Sequence, residues 1–354
     1  MVSDPIPAKR LIGYLPENAP VYGDMTVRSF LSFCAELSGL GAALRDAGQQ
    51  VSEHVMDDAG LDADVRATLP GFAGSLRSLW SRERPDVVHA FGWTGGLAAL
   101  AVARDAGLPV VTSFGSLAVT ERRHGLVSQL ERTRVERAIG ASSRAVIAAS
   151  SEEADDLLRM GVSRRRVHLI PAGVDTSVFT ADGPVSPEAR GAEKAKPRIM
   201  TAADVDDEQA VTLARAMAAV PGAELIACPP AAARDGQRLA TLLRSADVFV
   251  HAPAHSPRGT ECLQAMACGV PVIASTVGAH ADMVIEGTTG LLVRPGRPDL
   301  LAAKIRHLLG HPILRQAFGV AAADRAGSRY SRERVTAEAL AVYEATAQAR
   351  PTAA

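Results

Sequence analysis

The sequence predicts an α/β protein made of two doubly wound parallel sheets. Three observations carry this prediction. Short apolar runs alternate with amphipathic helical segments along most of the chain. At 354 residues the chain is long for one core, so two domains are the default. A Pro-, Gly- and charge-rich stretch, residues 172–197, interrupts the alternation near the middle.

The elements follow in order. Leu11–Leu15 reads as a first strand. Val27, Phe30, Leu31, Cys34 and Leu37 share one face of a helix that begins near Thr26 and stops at Gly48. Val51–Met56 alternates like a strand, and Val65–Trp80 is helical although Pro70 interrupts it. Strand Asp86–Ala90, helix Gly95–Ala106 and strand Pro109–Ser113 come next. Leu126–Ile139 is an amphipathic helix and Arg144–Ala149 a strand. Ser150 and Glu153 form a capping box that opens the helix Ser151–Met160, and Val167–Pro171 is a strand.

Beyond the interruption the pattern resumes with strand Arg198–Thr201, helix Glu208–Val220, strand Ala223–Ala227 and helix Leu239–Ser245. Asp247–Ala252 is a buried strand, Pro253–Gly259 a turn, and Thr260 caps a helix over Glu261–Cys268 that ends at Gly269. Val270–Ala274 is another buried strand. Glycines and a proline punctuate Gly287–Pro298, and the helices Leu300–Leu309 and Arg332–Ala345 close the chain. In a parallel sheet ligands sit outside the carboxyl ends of the strands. The turn before Thr260 is therefore the expected binding loop.

A net charge of −1 gives no electrostatic case for nucleic acid or acidic lipid. The start of the chain lacks the apolar core of a signal peptide, and no apolar run approaches the roughly 20 residues of a spanning helix. Cys34, Cys228, Cys262 and Cys268 lack metal-ligand or disulfide-framework spacing and read as small buried hydrophobes in a reducing, cytoplasmic setting.

RPDVVHAFGWTGGLAALAVARDAGLPVV, VIAASSEEADDLLRMGV, VHLIPAGVDTSVF, LLRSADVFV, QAMACGVPVIAS and EGTTGLLVRPGRPDLLAAKI carry a family resemblance. From Arg84 to Tyr343 the chain resembles, in order, the retaining glycosyltransferases of family four. The resemblance implies the GT-B fold: two Rossmann-like domains facing across a cleft, at residues 1–175 and 185–330. Residues 331–354 would form a helix returning to the first domain. An acceptor would bind the first domain and a nucleotide-sugar the second, with no metal or other cofactor. Donors must meet the charge that develops on the departing diphosphate, and the family uses a helix N-terminus and an Arg/Lys pair.

The chain departs from its relatives at several of these places. Ser256 and Gln264 occupy the positions of two glutamates, eight residues apart, of which the first touches the donor sugar and the second the ribose. Ala203 and Glu208 stand at the Arg/Lys positions. Gly115 stands where a histidine marks the donor-sugar end, Phe91 replaces a second histidine, and His89 matches. The chain between Ala227 and Leu239 is short, and a β–α segment that helps hold the nucleobase in the family is absent there. Charge-assisted hydrogen bonds contribute roughly 1.5–3 kcal/mol each. Losing two such donors and gaining the acid Glu208 disfavours a bound diphosphate by several kcal/mol.

Compensating donor-site candidates are Arg258, which can reach a phosphate over the amides of Gly259, Thr260 and Glu261, and Gln264, which can still bond a ribose hydroxyl. Glu261 can substitute for the lost first glutamate; a plain first-turn glutamate is its ordinary reading. On the acceptor side the candidates are His89, Gly115 and the basic cluster Arg122, Arg123 and His124. Asp282 matches an acidic position of the family, while His251 and His255 receive no role. Arg10–Leu40 resembles instead a segment of ABC-transporter ATPases, but no GxxxxGK[ST] is present, which excludes P-loop hydrolysis.

Three readings result. The first is retaining sugar transfer from a nucleotide-sugar to an unknown acceptor. The second is an inactive pseudo-glycosyltransferase that partners another glycosyltransferase. The third is a remodelled enzyme for a different phosphate-bearing ligand.

Overall fold

The computed structural model of the chain describes residues 11–15, 40–53, 65–126, 128, 130–186, 196–202, 207–229, 233 and 235–348. These form two compact units. One contains the described residues up to Ala149, with Glu153–Ile170 and those from Thr336 on; the other contains Ser150–Glu152 and those of Pro171–Val335. The expected helix near Thr26, the site position Ala203, and all of the ATPase-like stretch except Leu11–Leu15 and Leu40 lie outside the described residues.

Up to residue 170 the elements are β1 (Leu11–Leu15), α1 (Leu40–Asp46), β2 (Gln50–Glu53), α2 (Val65–Arg82), β3 (Val87–Phe91), α3 (Gly92–Ala106), β4 (Val110–Ser113), α4 (Ala118–Arg123), α5 (Leu130–Ser142), β5 (Ala145–Ala148), α6 (Ser151–Arg159) and β6 (Val167–Leu169). The six strands make a parallel sheet in the order β2-β1-β3-β4-β5-β6. The order in which strands are added reverses between β1 and β3, the kind of switch point where such sheets open a crevice. Val88, Ala90 and Val110 bury against Leu76, Trp80 and Val102, while Val146 and Ala148 bury against Ile139, Leu157 and Phe114.

The second half runs through β7 (Arg198–Thr201), α7 (Asp207–Ala218), β8 (Glu224–Ala227), α8 (Gly236–Leu243), β9 (Val248–His251), α9 (Thr260–Ala267), β10 (Val272–Ser275), α10 (Gly278–Met283), β11 (Gly290–Val293), α11 (Pro298–Gly310), α12 (Pro312–Tyr330) and α13 (Arg332–Gln348). Its parallel sheet has the order β11-β10-β9-β7-β8, with the switch point between β7 and β9. Successive strand residues bury on opposite faces, as a period of two requires. Ile199, Val248, Val250 and Ile273 meet Leu213, Ile305 and Phe318 on one side. Met200, Phe249, Val272 and Ala274 meet Leu263, Met266, Ala322 and Tyr330 on the other. Each fully buried aliphatic or aromatic side chain contributes roughly 1.5–3 kcal/mol, so both faces are needed to hold the sheet.

The connection after Ile170 is held by the second unit. The Val174 N–H donates to the Tyr330 carbonyl at 2.8 Å, and the Arg332 N–H donates to the Val174 carbonyl at 2.9 Å. The Arg332 guanidinium pairs with Asp175. From Thr336 on, the residues of α13 belong to the first unit.

Several element boundaries differ from the sequence pattern. The helix expected over Leu126–Ile139 begins at Leu130 and runs on to Ser142 as α5, and the short α4 before it is absent from the pattern. The Ser150/Glu153 capping box is altered: the Glu153 carboxylate accepts from the Ala149 N–H at 2.7 Å, one residue upstream. The 19-residue α12 is absent from the pattern because its buried face includes Gly319, Ala322 and Ala326, which offer little hydrophobic contrast. Among the described residues no helix is long and apolar enough to cross a membrane.

Candidate functional site

At the carboxyl ends of β9 and β10, the loop Ala252–Gly259 and the helix α10 lie together beside the amino end of α9. Ser256 is turned inward, 4% exposed. Its hydroxyl is 2.9 Å from His280 Nε2, and the other ring nitrogen, Nδ1, is 3.1 Å from Ser275 Oγ. The Ala279 N–H donates to the Ser256 carbonyl at 3.0 Å. Two glycines permit this approach. A Cβ on Gly278, at φ +51°, would stand 2.0 Å from the Ser256 carbonyl oxygen. A Cβ on Gly259, at φ +63°, would stand 3.0 Å from His280 Cδ2 and 3.0 Å from Met283 Sδ.

Gly259, not Thr260, is the N-cap of α9; Thr260 is the first helical residue. The reason is conformational: the left-handed turn that brings the loop onto His280 and Met283 falls on the residue before Thr260 and suits glycine. The cap makes no side-chain hydrogen bond, so the first amides of α9 are not closed off by their own N-cap. Arg258 is exposed, Thr260, Glu261 and Gln264 are half-buried, and Glu261 lies in the first turn, where the helix dipole favours it. Glu208 is exposed in the first turn of α7.

Beneath the loop, His251, Cys262 and His280 converge. One potential ligand atom from each lies within 4.8 Å of the others, and all three side chains are buried. The His251 and His280 rings meet edge to face with centroids 5.2 Å apart. Burial, with His251 alongside, holds His280 well below the ordinary imidazole range. Burial, reinforced by Glu261, pushes the Cys262 thiol well up. Nothing in the sequence marks this cluster, since its members lie eleven and eighteen positions apart, a spacing with no local meaning. Asp282 accepts from the Ser151 N–H at 2.7 Å, and Glu152 accepts from the Gly278 N–H at 2.8 Å; both donors and acceptors belong to the second unit.

In the first unit His89 is a satisfied core imidazole. Its Nδ1 is 2.6 Å from the Tyr343 hydroxyl and its Nε2 is 2.8 Å from Ser113 Oγ. Burial pushes its pKa down to about 3, so the ring is neutral near pH 7. Gly115 follows β4 at φ +73°, with open space where a Cβ would be. Arg122 donates to Thr133 Oγ1 at 2.8 Å, Arg123 pairs with the buried Asp156, and His124 ends α4. Burial raises the Asp156 carboxyl, but hydrogen bonds from Arg123, Thr120 and Arg159 outweigh it and leave the group below its ordinary value. The basic cluster is thus partly engaged in holding α4 against α6. Nearby, Arg132 bridges Glu121 at 3.0 Å and the buried Glu136 at 2.7 Å. Glu136 also accepts from the Ala118 N–H, which anchors the first turn of α4.

Residues 41–178 match the model of Glycosyltransferase Family 4, and residues 233–325 match that of Glycosyl transferases group 1. A D-inositol 3-phosphate glycosyltransferase from Xylanimonas cellulosilytica is 31% identical over 340 residues, covering 82% of this chain and 80% of that protein. The chain belongs to the family-four glycosyltransferases. Its two Rossmann-like units are those of the GT-B fold, as solved structures also indicate. Sucrose-phosphate synthase from Thermosynechococcus elongatus superposes with a TM-score of 0.79 at 22% identity, covering 95% of this chain and 99% of its own. The HepE protein of Anabaena in complex with UDP-glucose gives 0.72 at 15% identity, covering 95% and 99%. Within this chain Ser256 is a buried hydroxyl bonded to His280 and does not face the surface.

Proposed function

We propose that this family-four chain transfers a sugar, with retention, from a nucleoside diphosphate-sugar to an acceptor, and that the diphosphate rests over the amino end of α9. One observation carries the reading: an amino terminus uncapped by side chain, at the carboxyl edge of a parallel sheet, with exposed Arg258 immediately before it. Such a terminus offers oriented amides and a partial positive charge to an anion. The UDP-glucose bound by the HepE protein supports the choice of donor class. Gln264 then takes the ribose hydroxyls, and Arg258 with the amides of Thr260 and Glu261 offsets the charge released on the diphosphate.

A second reading is favoured by the burial of Ser256 and its bond to His280. The donor site then binds without turning over, and the chain serves as the partner of an active glycosyltransferase. Calorimetric titration with UDP and other nucleoside diphosphates, followed by a hydrolysis assay over a panel of nucleotide-sugars, separates the two. Binding with turnover supports transfer. Binding without turnover supports the partner role. Neither binding nor turnover removes the donor site altogether.

A further inference from the structure

His251, Cys262 and His280 come from three different elements, the end of β9, the first half of α9 and α10, and meet in the interior of the second unit. Two imidazoles and a thiol within 4.8 Å of one another are a ligand set. His251 is 7% exposed, Cys262 and His280 not at all. His251 Nδ1 is buried without a hydrogen-bond partner among the described residues. An unmet buried polar atom is destabilising, and a metal bond would offset that cost. The buried Met283 Sδ, like His280 Cδ2, stands 3.0 Å from where a Cβ on Gly259 would be.

We propose that these three side chains form a binding site for a thiophilic divalent cation, zinc being the ion whose preferred ligands they are. Imidazole nitrogen and thiolate sulfur are the donors zinc takes in proteins, and three protein ligands leave a fourth position to water. Loading forms one sulfur–metal and two nitrogen–metal bonds. The Cys262 thiol proton leaves to solvent, and the His280 nitrogen that turns to the metal gives up its seryl hydroxyl partner. Tetrahedral bonds of about 2.0–2.3 Å put ligand atoms about 3.3–3.6 Å apart, so the side chains draw in by about 1 Å from their widest spacing. The site ties β9, α9 and α10 together below the loop Ala252–Gly259. It lies under the proposed donor site but does not depend on sugar transfer.

The test uses the full-length, tag-free chain refolded with one equivalent of Co2+ as a spectroscopic stand-in for zinc. A thiolate-to-cobalt charge-transfer band with intense tetrahedral d–d absorption is expected, saturating at one ion per chain and displaced by Zn2+. The band should vanish in Cys262→Ala and weaken strongly in His251→Leu. It should persist in Cys34→Ala, Cys228→Ala and Cys268→Ala. A missing band, or one that survives Cys262→Ala, overturns the site. X-ray absorption of the zinc-loaded wild-type chain keeps the question open to refutation if a core variant does not fold. One sulfur at about 2.3 Å with two nitrogens at about 2.0–2.1 Å supports the site; bound zinc with only nitrogen and oxygen neighbours, or no bound zinc, removes it. Loss of the metal site would leave nucleotide binding by α9 to be judged on its own titration.

Discussion

The Ser256 hydroxyl lies 2.9 Å from His280 Nε2, and both side chains are buried within the second unit. The loop that carries Ser256 is thereby stitched to the protein interior. Ser256→Ala leaves His280 Nε2 without that partner and should lower stability by about 1–3 kcal/mol, read by urea denaturation. Ser256→Glu should destabilise further, because it brings a carboxylate into a site with no cation among its described contacts. An increase in nucleotide-sugar turnover with unchanged stability in Ser256→Glu would contradict the buried position.

Gly278 and Gly115 both have positive φ, but their surroundings differ. A Cβ on Gly278 would stand 2.0 Å from a backbone oxygen, whereas one on Gly115 would meet nothing within 4 Å. Gly115→Ala should therefore cost only the conformational strain, about 1–2 kcal/mol. Gly278→Ala should cost clearly more, because the backbone of the Ser256 loop must move. Equal denaturation midpoints for the two variants would refute the close approach.

The buried neutral His89 makes stability depend on acid. Its pKa is down at about 3 in the fold against 6.5 ordinarily, so the unfolded chain takes the proton first as pH falls. The contribution of His89 is present above pH 6.5 and is lost progressively between 6.5 and about 3. The slope approaches about 1.4 kcal/mol per pH unit within that window. His280, also lowered by burial, adds in the same direction. Denaturation of His89→Gln at several pH values should show a shallower acid slope than wild type; an unchanged slope would show that His89 is not the titrating group.

Arg258 is exposed. Arg258→Ala should leave stability within about 0.5 kcal/mol while weakening nucleoside diphosphate binding by about 1.5–3 kcal/mol, roughly 10- to 150-fold. Calorimetry and thermal denaturation on the same sample check both halves.

Arg132 bridges Glu121 and the fully buried Glu136 and donates to the Ser116 carbonyl at 2.6 Å. Arg132→Met strands two carboxylates, and breaking one side of such a buried network costs about 3–5 kcal/mol. Hydrogen exchange should show α4 and the loop at Gly115 opening before the sheet does; uniform exchange across the unit would argue against that local role.

Much of the architecture is legible in the order of residues. Leu11–Leu15 and Arg198–Thr201 are strands with the bounds the sequence suggests, and most other expected strands agree to within a few residues. Apolar runs bounded by turn residues survive tertiary context because both faces of a parallel strand are buried. The helix α12 was not legible, because an Ala- and Gly-lined face has little amphipathic contrast. Arg258 and Gly259 precede α9, and Thr260, Glu261 and Gln264 lie in its first five residues, as their order along the chain requires. The inward turn of Ser256 was not legible, since its cause is a histidine 24 residues away.

The sequence by itself determined two parallel α/β halves, a helix start at the carboxyl edge of the second sheet, and the resemblance that names the family. Local periodicity and turn chemistry suffice for these, because each depends on neighbours along the chain. Only the tertiary structure decided that Ser256 faces inward, that His89 is a neutral core residue, and that His251, Cys262 and His280 meet. Those outcomes rest on how closely separate elements approach. At Gly259 and Gly278 that approach exists because a missing Cβ lets one loop lie against the next, and no spacing along the chain encodes such a distance.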